Sequence, residues 1–161
     1  MRSRARAPVI ALVETAVGIA AARELAGSAA RLALGDQDLA LDFGVAPRST
    51  LVRVLAAELV LASRLAGLPP PLDGVTPEID DAHRLISDAT ASREGGFGGK
   101  LCIHPRQVPL VEQAFRPSER EIAWAQSIVA AGLEGGGVTA AGGAMVDRPL
   151  LERARLILRE I

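Results

Sequence analysis

The sequence predicts an α/β fold of parallel strands joined by helical crossovers. Short apolar runs alternate with helical stretches four times, an order that demands a crossover between neighbouring parallel strands. Apolar residues make up 49% of the 161 positions and charged residues 23%, which supports one domain with a sizeable core. The lone cysteine, Cys102, leaves no disulfide framework to replace that core.

The elements follow in order. Pro8 to Val13 is a continuous apolar run, as expected of a strand buried on both faces. Gly18 to Leu25 is an Ala-rich helix ending near Gly27. Arg31 to Leu34 is a second strand closed by Gly35. Ser49 or Thr50 caps a long helix, Leu51 to Ala66, stopped by Gly67-Leu68-Pro69-Pro70-Pro71. Pro71 to Val75 is a weaker third strand. Thr76-Pro77 opens a helix running to about Arg93, with proline at its first position. Phe97 to Ile103 is a fourth strand, and Pro105 to Phe115 is helical. Ser118 with Glu121 forms a capping box opening a helix to Ala131. Leu133 to Gly143 is a Gly-rich loop, and Pro149 to Ile161 is an amphipathic helix.

Composition excludes several functions. Eighteen basic and 19 acidic residues give a net charge of −1, so there is no basic field for nucleic acid or an anionic membrane. Aromatic residues are 2% of the chain, too few for base stacking. No run of 18 apolar residues is present, so no membrane span is expected, and the basic start with the short run Ala7 to Val13 is a poor signal peptide. A reduced, cytoplasmic setting follows. Zinc-ligand spacing, phosphate-loop motifs and a hydrolase elbow are all missing.

Polar groups fall where each strand ends: Glu14, then Asp36 and Asp38, then Asp73, then His104. In parallel α/β folds that edge gathers the active site. Glu14 and Asp38 on neighbouring strand ends would suit a hard divalent ion such as Mg²⁺. The same acids would equally serve as caps of the following helices.

Five blocks stand in order: Ala11-Leu12-Val13-Glu14-Thr15-Ala16-Val17-Gly18, Leu34-Gly35-Asp36-Gln37-Asp38-Leu39-Ala40-Leu41-Asp42-Phe43-Gly44, Asp73-Gly74-Val75, Gly98-Gly99-Lys100-Leu101-Cys102-Ile103-His104-Pro105-Arg106-Gln107, and Ala144-Met145-Val146-Asp147-Arg148-Pro149. Together they resemble the citrate lyase β-subunit-like branch of the HpcH/HpaI aldolase superfamily. The resemblance implies a Mg²⁺-dependent carbon–carbon lyase on a (β/α)₈ barrel, acting on citryl-, malyl- or citramalyl-CoA through a metal-stabilised enolate. It implies Glu14 and Asp38 as metal ligands. The Gly35, Asp36 and Gln37 backbone would hold the substrate carboxylate. Asp147 would be the acid/base residue, reaching a neighbouring subunit's site from a C-terminal lid in a homo-oligomer, a trimer in the family.

In that family about four strands, with a substrate-gripping arginine, precede the strand that ends in Glu14. The expectation is therefore the C-terminal half of a TIM-type barrel over residues 1–132, with a Gly-rich hinge and lid over 133–161. It would need a copy of itself or a missing N-terminal half. Two alternatives remain: a non-catalytic truncated or assembly module, and a class II aldolase acting on 2-oxo acids. Of the other candidates, Cys102 reads as a buried filler, His83 as solvated and His104 as a loop anchor. Lys100 reads as salt-bridged or snorkelling before a Schiff-base nucleophile. Trp124 reads as packing with Ile128, and the arginines from 148 to 159 as a solvated face. Asp73-Gly74 either lines the site or makes a turn.

Overall fold

The computed structural model describes residues 7–134, 139–141, 144–159 and 161; the basic start, including Arg4 and Arg6, lies outside them. Two compact units meet in sequence at Phe115 and Arg116, ahead of the 132/133 boundary expected from the glycine-rich stretch. The reason is local packing: the helix before Arg116 packs on its predecessor, and the helix after it packs on the chain end.

In the first unit, β1 (Ile10–Val13) and β2 (Arg31–Leu34) form a parallel ladder in which Leu12 pairs with Ala33 and Val13 with Leu34. Between them run α1 (Ala16–Ala20) and α2 (Ala22–Ala26), where a single helix was expected. Thr15 caps the first, its Oγ1 accepting from Gly18 N at 3.0 Å. The third and fourth strands are reduced to single parallel bridges, Ala33 with Leu72 and Asp73 with Lys100. Pro69, Pro70 and Pro71 carry no N–H to donate, which keeps the ladder from extending. The order of the four segments is as expected; four full strands are not formed.

α3 (Asp36–Asp42) follows β2 directly, and the sequence reading had no helix there. α4 (Thr50–Leu65) is capped by Ser49, whose Oγ accepts from Val52 N at 3.4 Å. It lays Val52, Ala56, Leu59 and Ala62 against Val13, Leu32, Leu34 and Leu39, the apolar stripe of a 3.6-residue period. α5 (Ala82–Glu94) starts five residues after Pro77, with Asp81 as its cap. The carbonyl of Thr76 accepts from the Gln107 side chain at 2.9 Å rather than from a helical N–H, so no helix begins there. A 3₁₀ turn, Pro105–Gln107, leads into α6 (Val108–Phe115), and Leu85, Ala89 and Val111 form a small cluster between α5 and α6.

In the second unit, α7 (Glu119–Glu134) opens with the expected capping box: Ser118 N donates to Glu121 Oε2 at 2.8 Å and Glu121 N to Ser118 Oγ at 3.2 Å. Within the stretch read as a loop, β3 (Thr139–Ala141) pairs antiparallel with β4 (Ala144–Val146); residues 135–138 and 142–143 lie outside the described residues. α8 (Arg148–Leu158) packs Ala154 against Ala125, Ile128 and Val146. Trp124 packs on this cluster and stacks under the Arg153 guanidinium at 5.3 Å.

Leu59 is fully buried and Leu65 is 66% exposed on the same helix. Leu59→Ala is expected to lower unfolding free energy by about 2–5 kcal/mol, while Leu65→Ala stays within roughly 0.5 kcal/mol. Denaturant midpoints of the two variants check the assigned face.

Candidate functional site

The C-terminal ends of the four parallel segments place Glu14, Gly35 to Asp38, Asp73-Gly74 and Lys100 on the first unit. Glu14 is half-buried and lies over Gly35: a β-carbon at Gly35 would sit 2.5 Å from Glu14 Cβ and 2.8 Å from its Oε2. Gly35 N donates to Val13 O at 2.9 Å, which draws the two strand ends together. Asp38 is exposed in the first turn of α3, where the helix dipole favours a negative charge.

Asp36 is occupied differently. Its Oδ1 accepts from Val75 N at 3.0 Å and its Oδ2 from Gln37 Nε2 at 2.9 Å. Asp42, at the far end of α3, accepts from Ala16 N at 2.7 Å. Asp73 is buried; its Oδ1 accepts from Gly74 N at 2.9 Å, its Oδ2 accepts from the Ser92 hydroxyl, and Arg53 and Lys100 lie 3.8 and 3.9 Å away. Asp88 accepts from Thr76 Oγ1 at 3.0 Å and pairs with Arg48 and Arg84. Glu14 and Asp38 are thus set apart. Among the described residues neither carboxylate has a hydrogen-bond or ion-pair partner.

No three His, Cys, Asp or Glu side chains gather as a metal cluster among the described residues. Two unengaged carboxylates nevertheless fit Mg²⁺, which takes hard oxygen donors and keeps several waters rather than a full protein cage. Gly35 supplies the local reason, since any side chain there would displace Glu14. The cavity between Leu34, Asp36, Arg53, Asp73 and Lys100 holds about 30 Å³, room for a water or two and not for a substrate. Neither Glu14 nor Asp38 lines it.

Lys100 is buried, with its Nζ donating to Gly74 O at 2.8 Å. Burial pushes its ammonium pKa down, opposed by the charges of Asp73, Asp36 and Asp88. Asp73-Gly74 therefore makes a clamped turn. The Cys102 thiol is pushed up by burial against the nearby Lys100 charge and packs beside the Leu85 cluster, as a filler does. His104 anchors its loop, with Nδ1 accepting from Arg106 N at 3.2 Å. His83 is exposed, as are Arg148, Arg153, Arg155 and Arg159. Gln107, which sequence reading passed over as a site-shaping residue, is buried and ties Ile103 N to Thr76 O. In the second unit, Asp147 caps α8, its Oδ1 accepting from Leu150 N at 2.9 Å.

The Lys100 shift has a measurable consequence. The folded state holds fewer protons at this site than the unfolded chain, so its contribution to stability rises with pH from the depressed value up to the ordinary lysine range. Denaturant melts across the alkaline range are expected to show Lys100→Met losing that rise relative to the unsubstituted protein; parallel pH curves for the two would contradict it.

No described helix is long and apolar enough to cross a membrane. The HpcH/HpaI aldolase/citrate lyase family profile matches residues 2–105. A citrate lyase subunit β-like protein of Mycobacterium tuberculosis is 37% identical, over 94% of this chain and 58% of that one. L-malyl-CoA/β-methylmalyl-CoA lyase of Rhodobacter capsulatus is 31% identical, over 92% of this chain and 55% of that one. The crystal structure of M. tuberculosis CitE in complex with magnesium, acetoacetate and coenzyme A matches with a TM-score of 0.87 at 35% identity, over 97% of this chain and 61% of that one. The chain spans a little over half the length of these curated relatives. By sequence over most of its length and by fold, the chain belongs to the HpcH/HpaI aldolase/citrate lyase family.

Proposed function

We propose that this chain carries the metal-binding half of a Mg²⁺-dependent carbon–carbon lyase that cleaves or forms a 3-hydroxy-acyl-CoA thioester. The observation that carries the reading is the pair Glu14 and Asp38, the strand-end acids left without a protein partner. Their likeness in position and chemistry to the ligands implied by the family, and a relative crystallised with magnesium and coenzyme A, support it. In this reading the four parallel segments are the C-terminal half of a (β/α)₈ barrel, completed by an N-terminal half or by another copy in a cytoplasmic homo-oligomer.

Glu14 and Asp38 would hold Mg²⁺ from two neighbouring strand ends. Bound there, the ion supplies positive charge that polarises a substrate carbonyl and offsets charge developing on its oxygen. The backbone N–H groups of Asp36 and Gln37 donate to the carboxylate of the oxo acid, which orients it; the Gly35 N–H, expected to join them, is taken by Val13 O at 2.9 Å. Asp147 of a neighbouring subunit in the assembled enzyme would exchange a proton at the thioester α-carbon through Oδ2, while Oδ1 remains on Leu150 N.

A second reading, a non-catalytic assembly module, draws on one feature. Val9, just before β1, and Ile10 and Leu12 on it are 61%, 56% and 51% exposed, an apolar surface suited to covering by another chain. Light scattering alongside Mg²⁺ titration separates the two: a monomer that binds no Mg²⁺ favours the module.

Glu14→Gln and Asp38→Asn are each expected to weaken Mg²⁺ binding by more than the ~10-fold of an outer-shell change, read by calorimetric titration; unchanged titrations in both would remove the metal assignment. Asp147→Asn keeps a good helix cap and is expected to lower malyl-CoA cleavage at least ~100-fold in the assembled enzyme. Full thioester cleavage by that variant would refute the proton-transfer role, and pyruvate aldol activity assayed in parallel separates the oxo-acid aldolase.

A further inference from the structure

The turn after the third parallel segment is gripped from both sides. On one side the buried Lys100 donates to Gly74 O at 2.8 Å. On the other, Asp36 Oδ1 accepts from Val75 N at 3.0 Å. Asp36 reaches that amide by occupying the place of a side chain at Gly74: a β-carbon there would lie 2.0 Å from Oδ1, 2.3 Å from Cγ and 2.7 Å from Cβ of Asp36. Gly74 has no left-handed backbone, so contact alone, and not conformation, requires a glycine. Gln37 Nε2 completes the carboxylate's partners at Oδ2. α3 is thereby slung between two anchors, Asp36 on the third segment and Asp42 on Ala16 N behind β1.

We propose that Asp36 is a positioning residue whose carboxylate, admitted by the bare α-carbon of Gly74, locks α3 to the 73–75 turn and so sets Asp38 and the 36–37 amides against Glu14. The proposal rests on the reading of Glu14 and Asp38 as the metal pair. Asp38 lies two residues along the same helical turn, so a shift of the Asp36 backbone carries it off the line from Glu14. Outer groups that orient a ligand in this way typically govern metal affinity about 10- to 100-fold.

The test is a double-mutant cycle read by Mg²⁺ titration and by hydrogen exchange at the Val75 amide, both on the 161-residue chain. Asp36→Ala and Gly74→Ala are each expected to weaken Mg²⁺ binding about 10-fold and to speed Val75 exchange. The double variant is expected to lose less than the sum of the two single losses, because the added β-carbon then meets only the β-carbon of residue 36, at 2.7 Å, and no carboxylate. Asp36→Asn keeps an Oδ1 acceptor for Val75 N and lets the Gln37 amide turn over, so it is expected to hold near the unsubstituted affinity; a role through bulk stability would not single it out. Additive losses, or Mg²⁺ binding unchanged in both single variants, overturn the proposal. If the unsubstituted chain takes up no Mg²⁺, the metal reading falls, and Val75 exchange decides the lock: faster in Gly74→Ala with a less than additive gain in the double supports it, unchanged or additive exchange overturns it.

Discussion

Two carboxylic side chains fill space that other residues would need for their own β-carbons. Glu14 lies across Gly35, and Asp36 lies across Gly74. Each arrangement joins the end of one parallel segment to the end of its neighbour. Neither survives a side chain at the glycine, because the interfering atoms are an acid head and its stem at less than van der Waals separation. This steric constraint fixes where the acids lie, and the hydrogen-bond pattern then decides what each can do.

Acids crowded at one sheet edge repel one another, and the fold answers most of that repulsion internally. Asp73 receives a serine hydroxyl and two cationic neighbours, Asp88 a threonine and two arginines, Asp36 and Asp42 backbone amides. The Lys100–Asp73 pair illustrates the balance. Removing both groups from water is costly, and their attraction offsets that only because further donors and acceptors complete the set: Gly74 O takes the ammonium, while Gly74 N and Ser92 serve the carboxylate. Glu14 and Asp38 receive nothing comparable among the described residues. In the proposed function that unanswered charge is what would hold Mg²⁺.

Much of this was legible in the residues. The β1 and β2 runs announced a parallel pair, although β1 leaves Ile10 and Leu12 exposed instead of burying both faces; Ser49 and Ser118 announced their helices, and the acids marked the strand ends. What was missed has physical causes. α3 begins in the residue after Gly35, without the polar spacer that usually separates strand from helix, and its leading acids read equally as ligands or as caps. The helix expected at Pro77 yields to Gln107, a residue about thirty positions away that claims the Thr76 carbonyl. The third and fourth segments form only bridges because prolines interrupt the donors, a sequence fact whose consequence depends on which neighbour is present. That Asp36 and Asp38 differ, one engaged and one free, is set by the Val75 amide, and nothing local in the sequence conveys it. The β3–β4 hairpin hid in a glycine-rich stretch where composition suggests a loop.

Seventeen arginines accompany a single lysine, and that lysine's side chain is 4% exposed with its Nζ on Gly74 O. The protein therefore presents no accessible ε-amine on its folded surface. Reagents that acylate amines, and crosslinkers built on them, can reach this side chain only through a breathing motion that parts the ammonium from the turn it holds. The lone lysine is thus a built-in chemical reporter on the integrity of the strand-end turn.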